Sequence, residues 1–488
     1  MNKDALRHDN KTVGNQSQLK SASIAHTEGG SSAGPDMIAK EPCILEGPRF
    51  VGHIFEFGKD PLAFMRRALT RHKPVVDFRV PGEKISLVTS AAMSHQILVK
   101  HYEDFRKAER DVGVMAHVLG KGLVTNNDYK SHKKQRKLAQ PGFHFRRIQS
   151  YARTMVDYTE RYSQNWKQSE VRDVNDDMFK LTLFIVSKTL FNNDMTSMLA
   201  ATDEIGKSMH ELQVIMNKGF QSSFALPNWV PMLGQRKLQR SKTRLITAIQ
   251  AMIDNRTNTD GTFNSGDDLL SMLLEAEYED GTKMPSELLM DELITLLSAG
   301  HETTSNSMSW LLYLLAENPD AQEHVFNEVT GVIENGELNY EDLPRLTYTE
   351  QVIKEAMRMY PPAWVLNTRQ ANRDVVIDGL LFKKDKLVFI SPYANHYNSE
   401  YFPSPEQFDP ERFSAENEAE LPRYAYMPFG GGNRVCIGNS FAMMENKIIL
   451  AKLIETFRFE LCEKTKIEPQ PQVTLSNKGG MWLRVNRR

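Results

Sequence analysis

Residues 429–438 read FGGGNRVCIG. One cysteine, Cys436, follows a glycine run and precedes a stretch, 437–449, of helical composition. Gly430, Gly431 and Gly432 allow backbone conformations closed to other residues and a close approach to a bulky group. A helix beginning near Ile437 puts the Cys436 sulfur at unpaired backbone N–H groups and at the positive end of the helix dipole. Both favour thiolate over thiol. A thiolate held by N–H donors and shielded by an aromatic ring, Phe429, suits a single bond to a metal centre. A lone cysteine is more often inert packing; the surrounding pattern is what argues otherwise.

Every position of Phe-Gly-x-Gly-x-Arg-x-Cys-x-Gly is matched, and the chain resembles the cytochrome P-450 family of haem-thiolate monooxygenases. The resemblance implies a mainly α fold with small β-sheets. Haem b would lie between a long distal helix and the helix after the cysteine loop. Cys436 would be the axial iron ligand, with Phe429, Gly430 and Gly438 shaping the loop. Arg434, two residues earlier, would bind a haem propionate. O2 and electrons drawn ultimately from NAD(P)H would be consumed.

A second motif, Ala299-Gly300-His301-Glu302-Thr303-Thr304, falls inside a helical pattern over 285–317. Ala299 and Gly300 leave space on one face. Thr303 can turn its hydroxyl back to the Ala299 carbonyl, which loosens a helix. A hydroxyl and a neighbouring carboxyl are suitable groups for holding oxygen and feeding protons. Taken singly, a helical Thr is usually a satisfied hydroxyl and a Glu a solvated face. The string resembles the family's oxygen-activation motif, which implies oxygen binding by Thr303 and proton delivery by Glu302. His301, at the variable position, reads as a surface or packing histidine.

Glu355 and Arg358 share a helical face and can pair. Apolar neighbours suggest burial, where an unpaired charge is costly. The resemblance adds Arg412 and implies that these three groups lock together behind the cysteine loop. Haem propionates need cations or donors. His132 and Arg136 are four apart on one face, and the resemblance implies that they and Arg369 serve with Arg434, although many relatives have Trp where His132 stands.

The 488 residues are 40% hydrophobic and 25% charged, with a formal net charge of -2. That is enough for a large core and gives no sign of a nucleic-acid partner. Cys43, Cys436 and Cys462 make no disulfide framework and fit a reducing compartment. Residues 1–34 are polar and read as a disordered tail with no signal peptide or membrane anchor, ahead of a single domain over 35–488. A cytoplasmic, bacterial-type protein without a fused reductase is expected. Lys133, Lys134, Arg136 and Lys137 form a basic cluster, where the resemblance implies docking of a ferredoxin or flavodoxin-type donor.

Helices are expected over 62–72, 92–99, 131–138, 147–165, 174–190 and 197–216, with loops over 219–234 and 255–266. Asn318-Pro319 closes the long helix and opens the next. Thr347 and Glu350 have capping-box spacing. Strands over 375–377 and 387–390 flank Asp378-Gly379. The resemblance implies a substrate pocket to which Leu119, Met290, Leu293, Ile294, Leu297, Trp364, Val365 and Leu366 would give an apolar lining. By resemblance, a long-chain fatty acid is the first expected substrate and a terpene or other lipophilic metabolite the second. Arg49, Arg66, Arg67 and Arg110 are the candidate carboxylate anchors. The rival readings are a peroxide-dependent peroxygenase or isomerase, and a haem-binding sensor.

Overall fold

The helix Ser286–Glu317 is buried on nearly all sides along its second half. No proline or glycine interrupts it after Gly300, and no charge follows Glu302 until Glu317. An all-round apolar helix is a core helix, and its stability comes from what packs on it. In this computed structural model, which describes residues 40–48, 51–192, 205–219, 235–254, 268–333 and 336–488, it packs against Val174–Phe191, Thr347–Met359, Asn439–Thr456 and the strand Phe457–Leu461. The fold of Lys40–Arg488 is mostly helical with small sheets, as expected. No described helix is long and apolar enough to cross a membrane.

Six strands form a mixed sheet in the order Cys43–Ile44, Val75–Val80, Glu83–Val88, Leu387–Ile390, Arg369–Ala371 and Phe105–Lys107. The last pair is antiparallel and sets Lys107 directly opposite Arg369. A second sheet joins Phe457–Leu461, Trp482–Arg487 and Glu170–Asp173. The polar tail expected at 1–34, the loop at 255–266 and most of that at 219–234 lie outside the described residues. Of the helix expected over 197–216, the part from 205 is helical and runs to 219.

Several local expectations are corrected. The strand Val375–Ile377 pairs across Asp378-Gly379 with Leu380–Phe382, while Leu387–Ile390 belongs to the large sheet. Both turn residues have positive φ, 49° and 77°, the geometry that closes a two-residue hairpin. Thr347 and Glu350 form no capping box. Glu328, on Pro319–Val332, instead accepts from Tyr348 N (2.7 Å) and Thr349 N (2.8 Å). Glu350 is thereby free to pair with Lys354 (3.0 Å) and Lys447 (2.6 Å).

Candidate active site

The cysteine loop closes on itself. Phe429 O accepts from Cys436 N at 3.0 Å, and Gly432–Arg434 form a single tight turn. Gly430 and Gly432 have φ of 70° and 65°, the left-handed region that glycine enters freely. A Cβ on Gly432 would meet the Leu98 carbonyl at 2.1 Å, and one on Gly431 the Tyr424 ring at 2.1 Å. The bulky neighbours of this run are therefore protein groups. Tyr424 also accepts from Gly432 N through its hydroxyl oxygen at 3.0 Å.

The following helix starts at Asn439, two residues later than expected, with Gly438 as its N-cap. Cys436 keeps exposed surface, yet enough protein surrounds the sulfur that burial pushes the thiol above its ordinary value. The Gly438 N–H and the Arg136 guanidinium oppose that rise without overcoming it. The protein groups alone do not make the thiolate. A metal bond there would, because a coordinating thiol is deprotonated outright.

On the long helix, Thr303 Oγ1 donates to Ala299 O at 2.9 Å, as the spacing predicts. Ala299 is exposed and Thr303 partly so, in a run whose neighbours Leu296, Leu297, Glu302 and Thr304 are buried. Gly300 serves a different end: a Cβ there would press on Val186 at 3.2 Å. Its missing side chain admits the helix Val174–Phe191. Glu302 turns into the protein, where Oε1 accepts from Gln213 Nε2 at 2.6 Å and from Thr474 Oγ1. Burial pushes this carboxyl up to about 7, against the Thr474 hydrogen bond, which suits a group that exchanges protons near neutrality. His301 is a buried packing residue, edge-on to Phe179 at 4.7 Å.

Lys107, His132, Arg136, Arg369 and Arg434 gather on the other side of the loop. Arg434 donates to Asn126 O (2.8 Å), Arg369 to Asn367 O (2.6 Å) and Arg136 to Val435 O (2.7 Å). Arg136 thus braces the residue before the cysteine. Lys107, absent from the sequence reading, is buried and is driven well below its usual value by burial, then by Arg434 and Arg369. Burial and the Arg434 charge bring Arg369 down to about 10. Burial, with Arg434, Lys107 and Arg136, lowers His132 to about 3. Like charges opposite one another in a sheet destabilise it, and here the pair is Lys107 and Arg369. Asp111 and Asp128 are the acids acting on Arg369 and Arg434. A buried cluster short of negative charge fits the two carboxylates of haem, and the accessible sulfur of Cys436 fits its iron.

Glu355, Arg358 and Arg412 are brought together. Arg358 donates to Glu355 from Nε (2.7 Å) and Nη2 (2.8 Å), and Arg412 Nε lies 3.5 Å from Glu355. Arg358 also donates to His396 O (3.1 Å) and Gln407 O (3.2 Å). The buried His396 links this group to the cysteine loop. Its Nε2 accepts from Met427 N at 2.9 Å, so Nδ1 carries the hydrogen donated to Arg358 O at 3.2 Å. Nothing in the sequence marks Lys107, His396, Tyr424, Gln213 or Thr474 singly, because their partners lie far away along the chain.

His396→Phe leaves the Met427 N–H without an acceptor, at an expected cost of about 1–3 kcal/mol near neutral pH. Burial holds the native imidazole neutral down to about 3, below its ordinary 6.5. Its contribution is complete above 6.5 and is lost as pH falls. The gap between wild type and variant should therefore shrink by on the order of 1 kcal/mol per pH unit below 6.5. Denaturant melts at several pH values measure it; a gap that stays constant contradicts the assignment.

Of the lining expected from sequence, Leu293, Ile294, Leu297 and Trp364 are buried in core packing, whereas Val365 and Leu366 keep accessible surface.

A model of the cytochrome P450 family matches residues 45–484. Cyclooctatin synthase of Streptomyces melanosporofaciens is 32% identical over 436 residues, covering 88% of this chain and 92% of that protein. Cyclooctat-9-en-7-ol 5-monooxygenase of the same organism is 29% identical, covering 87% and 89%. Pentalenene oxygenase of Streptomyces avermitilis is 27% identical, covering 90% and 95%. The family match runs almost from the first described strand to the last, and the chain belongs to the cytochrome P450 family.

Proposed function

We propose that this cytochrome P450 monooxygenase inserts one oxygen atom from O2 into a compact terpene-like hydrocarbon, ahead of a long-chain fatty acid. The observation that carries this reading is the commitment of the arginines open to a fatty-acid carboxylate. Arg66 donates to the Tyr393 hydroxyl at 2.9 Å, Arg67 pairs with Glu56 at 2.6 Å and Arg110 with Glu83 at 3.1 Å. Arg49 lies outside the described residues. Ala299, Val365 and Leu366 add accessible apolar surface, which favours an uncharged ligand. The names of the relatives, for cyclooctat-9-en-7-ol and pentalenene, support it further. The test is titration of the ferric protein with polycyclic terpene hydrocarbons and with palmitic acid, following the Soret band. Terpenes are expected to shift the band at lower concentration; the reverse order overturns the reading.

Haem, when bound through the Cys436 thiolate, supplies the oxygen activation, with electrons from NAD(P)H. The residues supply the rest. Lys107, His132, Arg369 and Arg434 would hold the propionates, and Arg136 braces Val435 beside the sulfur. Thr303 and Ala299 face the reacting side, and Thr303 presents a hydroxyl that donates to the Ala299 carbonyl. Glu302, near neutrality, stores and releases a proton. Thr303→Val is expected to keep NAD(P)H consumption while the product formed per NAD(P)H falls; an undiminished ratio removes Thr303 from the mechanism.

A ferredoxin or flavodoxin-type donor docks on the helix Tyr129–Ala139 in this reading. Lys133 and Lys134 are exposed there, and Lys137 pairs with Glu279. Charge steering of this kind acts on association rate and fades with salt. The double variant Lys133→Glu, Lys134→Glu should slow reduction by the native donor and flatten its salt dependence. Reduction at the wild-type rate moves the docking site elsewhere.

A further inference from the structure

Between the long helix, the helix at 205–219 and the helix Val174–Phe191 lies a small cavity of about 10 Å³. Phe179, Met209, Gln213, Ser298, His301 and Glu302 contribute to its walls. That volume holds about one water molecule, provided polar partners are present. They are. His301 is 1% exposed, and its Nδ1 is bonded to the Leu297 carbonyl at 2.8 Å. A carbonyl only accepts, so Nδ1 carries the hydrogen and Nε2 is left as an acceptor. Nε2 is buried and has no hydrogen-bond partner. The Phe179 ring, edge-on to the imidazole at 4.7 Å, fixes its plane. Beside it, Glu302 takes both of its donors, Gln213 and Thr474, on Oε1. Oε2 takes neither of these two donors.

We propose that this cavity holds one ordered water that donates to His301 Nε2 and bonds to Glu302 Oε2, and that His301 is thereby a positioning residue for Glu302. The water gives one hydrogen to Nε2, and it meets Oε2 with its other hydrogen when the carboxyl is ionised or with its oxygen when the carboxyl carries a proton. A buried polar atom such as Nε2 without a partner is costly, and a water there satisfies it. With Oε1 held by Gln213 and Thr474 and Oε2 by the water, the carboxyl cannot rotate. The direction in which it hands on a proton is then fixed. Burial keeps the imidazole uncharged down to about 4, so it stays an acceptor throughout the physiological range. The inference rests on the reading of Glu302 as the proton donor.

Two experiments decide it. A crystal structure of the wild-type holoenzyme at a resolution that shows waters should place one within about 3.2 Å of both His301 Nε2 and Glu302 Oε2. A dry cavity overturns the proposal, whatever the variants do. In parallel, product formed per NAD(P)H and the solvent isotope effect on turnover are measured for His301→Leu, His301→Gln and Glu302→Gln. The leucine variant should lose coupling by roughly tenfold, the usual scale for a group acting through another, with an unchanged Soret band and substrate affinity. Glutamine, which returns a polar end near the position of Nε2, should recover most of it. Unchanged coupling in His301→Leu together with lost coupling in Glu302→Gln overturns the role of His301 alone. Unchanged coupling in both overturns the Glu302 reading as well.

Discussion

Arg358→Ala is expected to yield protein that does not retain haem. Arg358 and Glu355 are both fully buried. Removing the guanidinium strips Glu355 of two charge-assisted hydrogen bonds, at 2.7 and 2.8 Å, and leaves a carboxylate in the core. Breaking such a pair from one side costs about 3–5 kcal/mol, against a total stability of about 5–15 kcal/mol for a typical domain. The damage is also directed. Arg358 Nη1 donates to His396 O, His396 Nε2 accepts from Met427 N, and Phe429 O accepts from Cys436 N. The ion group is thus two hydrogen bonds away from the segment that carries the sulfur. Arg358→Lys should rescue little, because an ammonium cannot serve Glu355 and the His396 and Gln407 carbonyls with one planar fork. Haem content per chain and denaturant melts check this. A variant with a full haem complement and unchanged stability would sink the structural role.

Cys436→Ser is expected to abolish the thiolate signature while sparing the fold. The bond that closes the loop, Cys436 N to Phe429 O, is made by the backbone and survives the change. Serine is smaller by little and keeps the loop's glycine contacts, so melting should move slightly. What would be lost is the electron-rich sulfur proposed to hold the haem iron. Turnover should drop by at least about a thousandfold, equivalent to about 4 kcal/mol of barrier. A variant that unfolds would instead show the sulfur to be structural, and one that keeps turnover would move the ligand elsewhere. Together the two substitutions separate scaffold from chemistry: the first removes haem by collapse, the second leaves a folded protein with the wrong ligand.

Legibility in the sequence followed sequence distance. Thr303 to Ala299 and Glu355 to Arg358 are contacts within one helix, where a spacing of three or four dictates which side chains meet. Both were readable and both are present. The loop of Cys436 was readable because its constraints are local glycine conformations. Lys107 was not, since its meaning comes from lying opposite Arg369 in a sheet closed by residues more than 250 positions apart. The helix at Thr347 was placed correctly while its cap was not, because the cap arrives from Glu328 on another helix. Gly300 was read with Ala299 as leaving space on one face, yet its space is taken by the approach of Val186. His301 was read as a surface or packing histidine and is buried; what the sequence could not convey is that its packing left one nitrogen without a partner beside a cavity.

The central claim is that the Cys436 sulfur is the axial ligand of a haem. The most direct measurement is the absorption difference spectrum of the dithionite-reduced wild-type protein with and without carbon monoxide. Thiolate ligation predicts the long-wavelength Soret band that an electron-donating sulfur produces opposite carbon monoxide. A band only at the shorter wavelength of nitrogen-ligated haem, in protein that is folded and haem-loaded, would contradict the account.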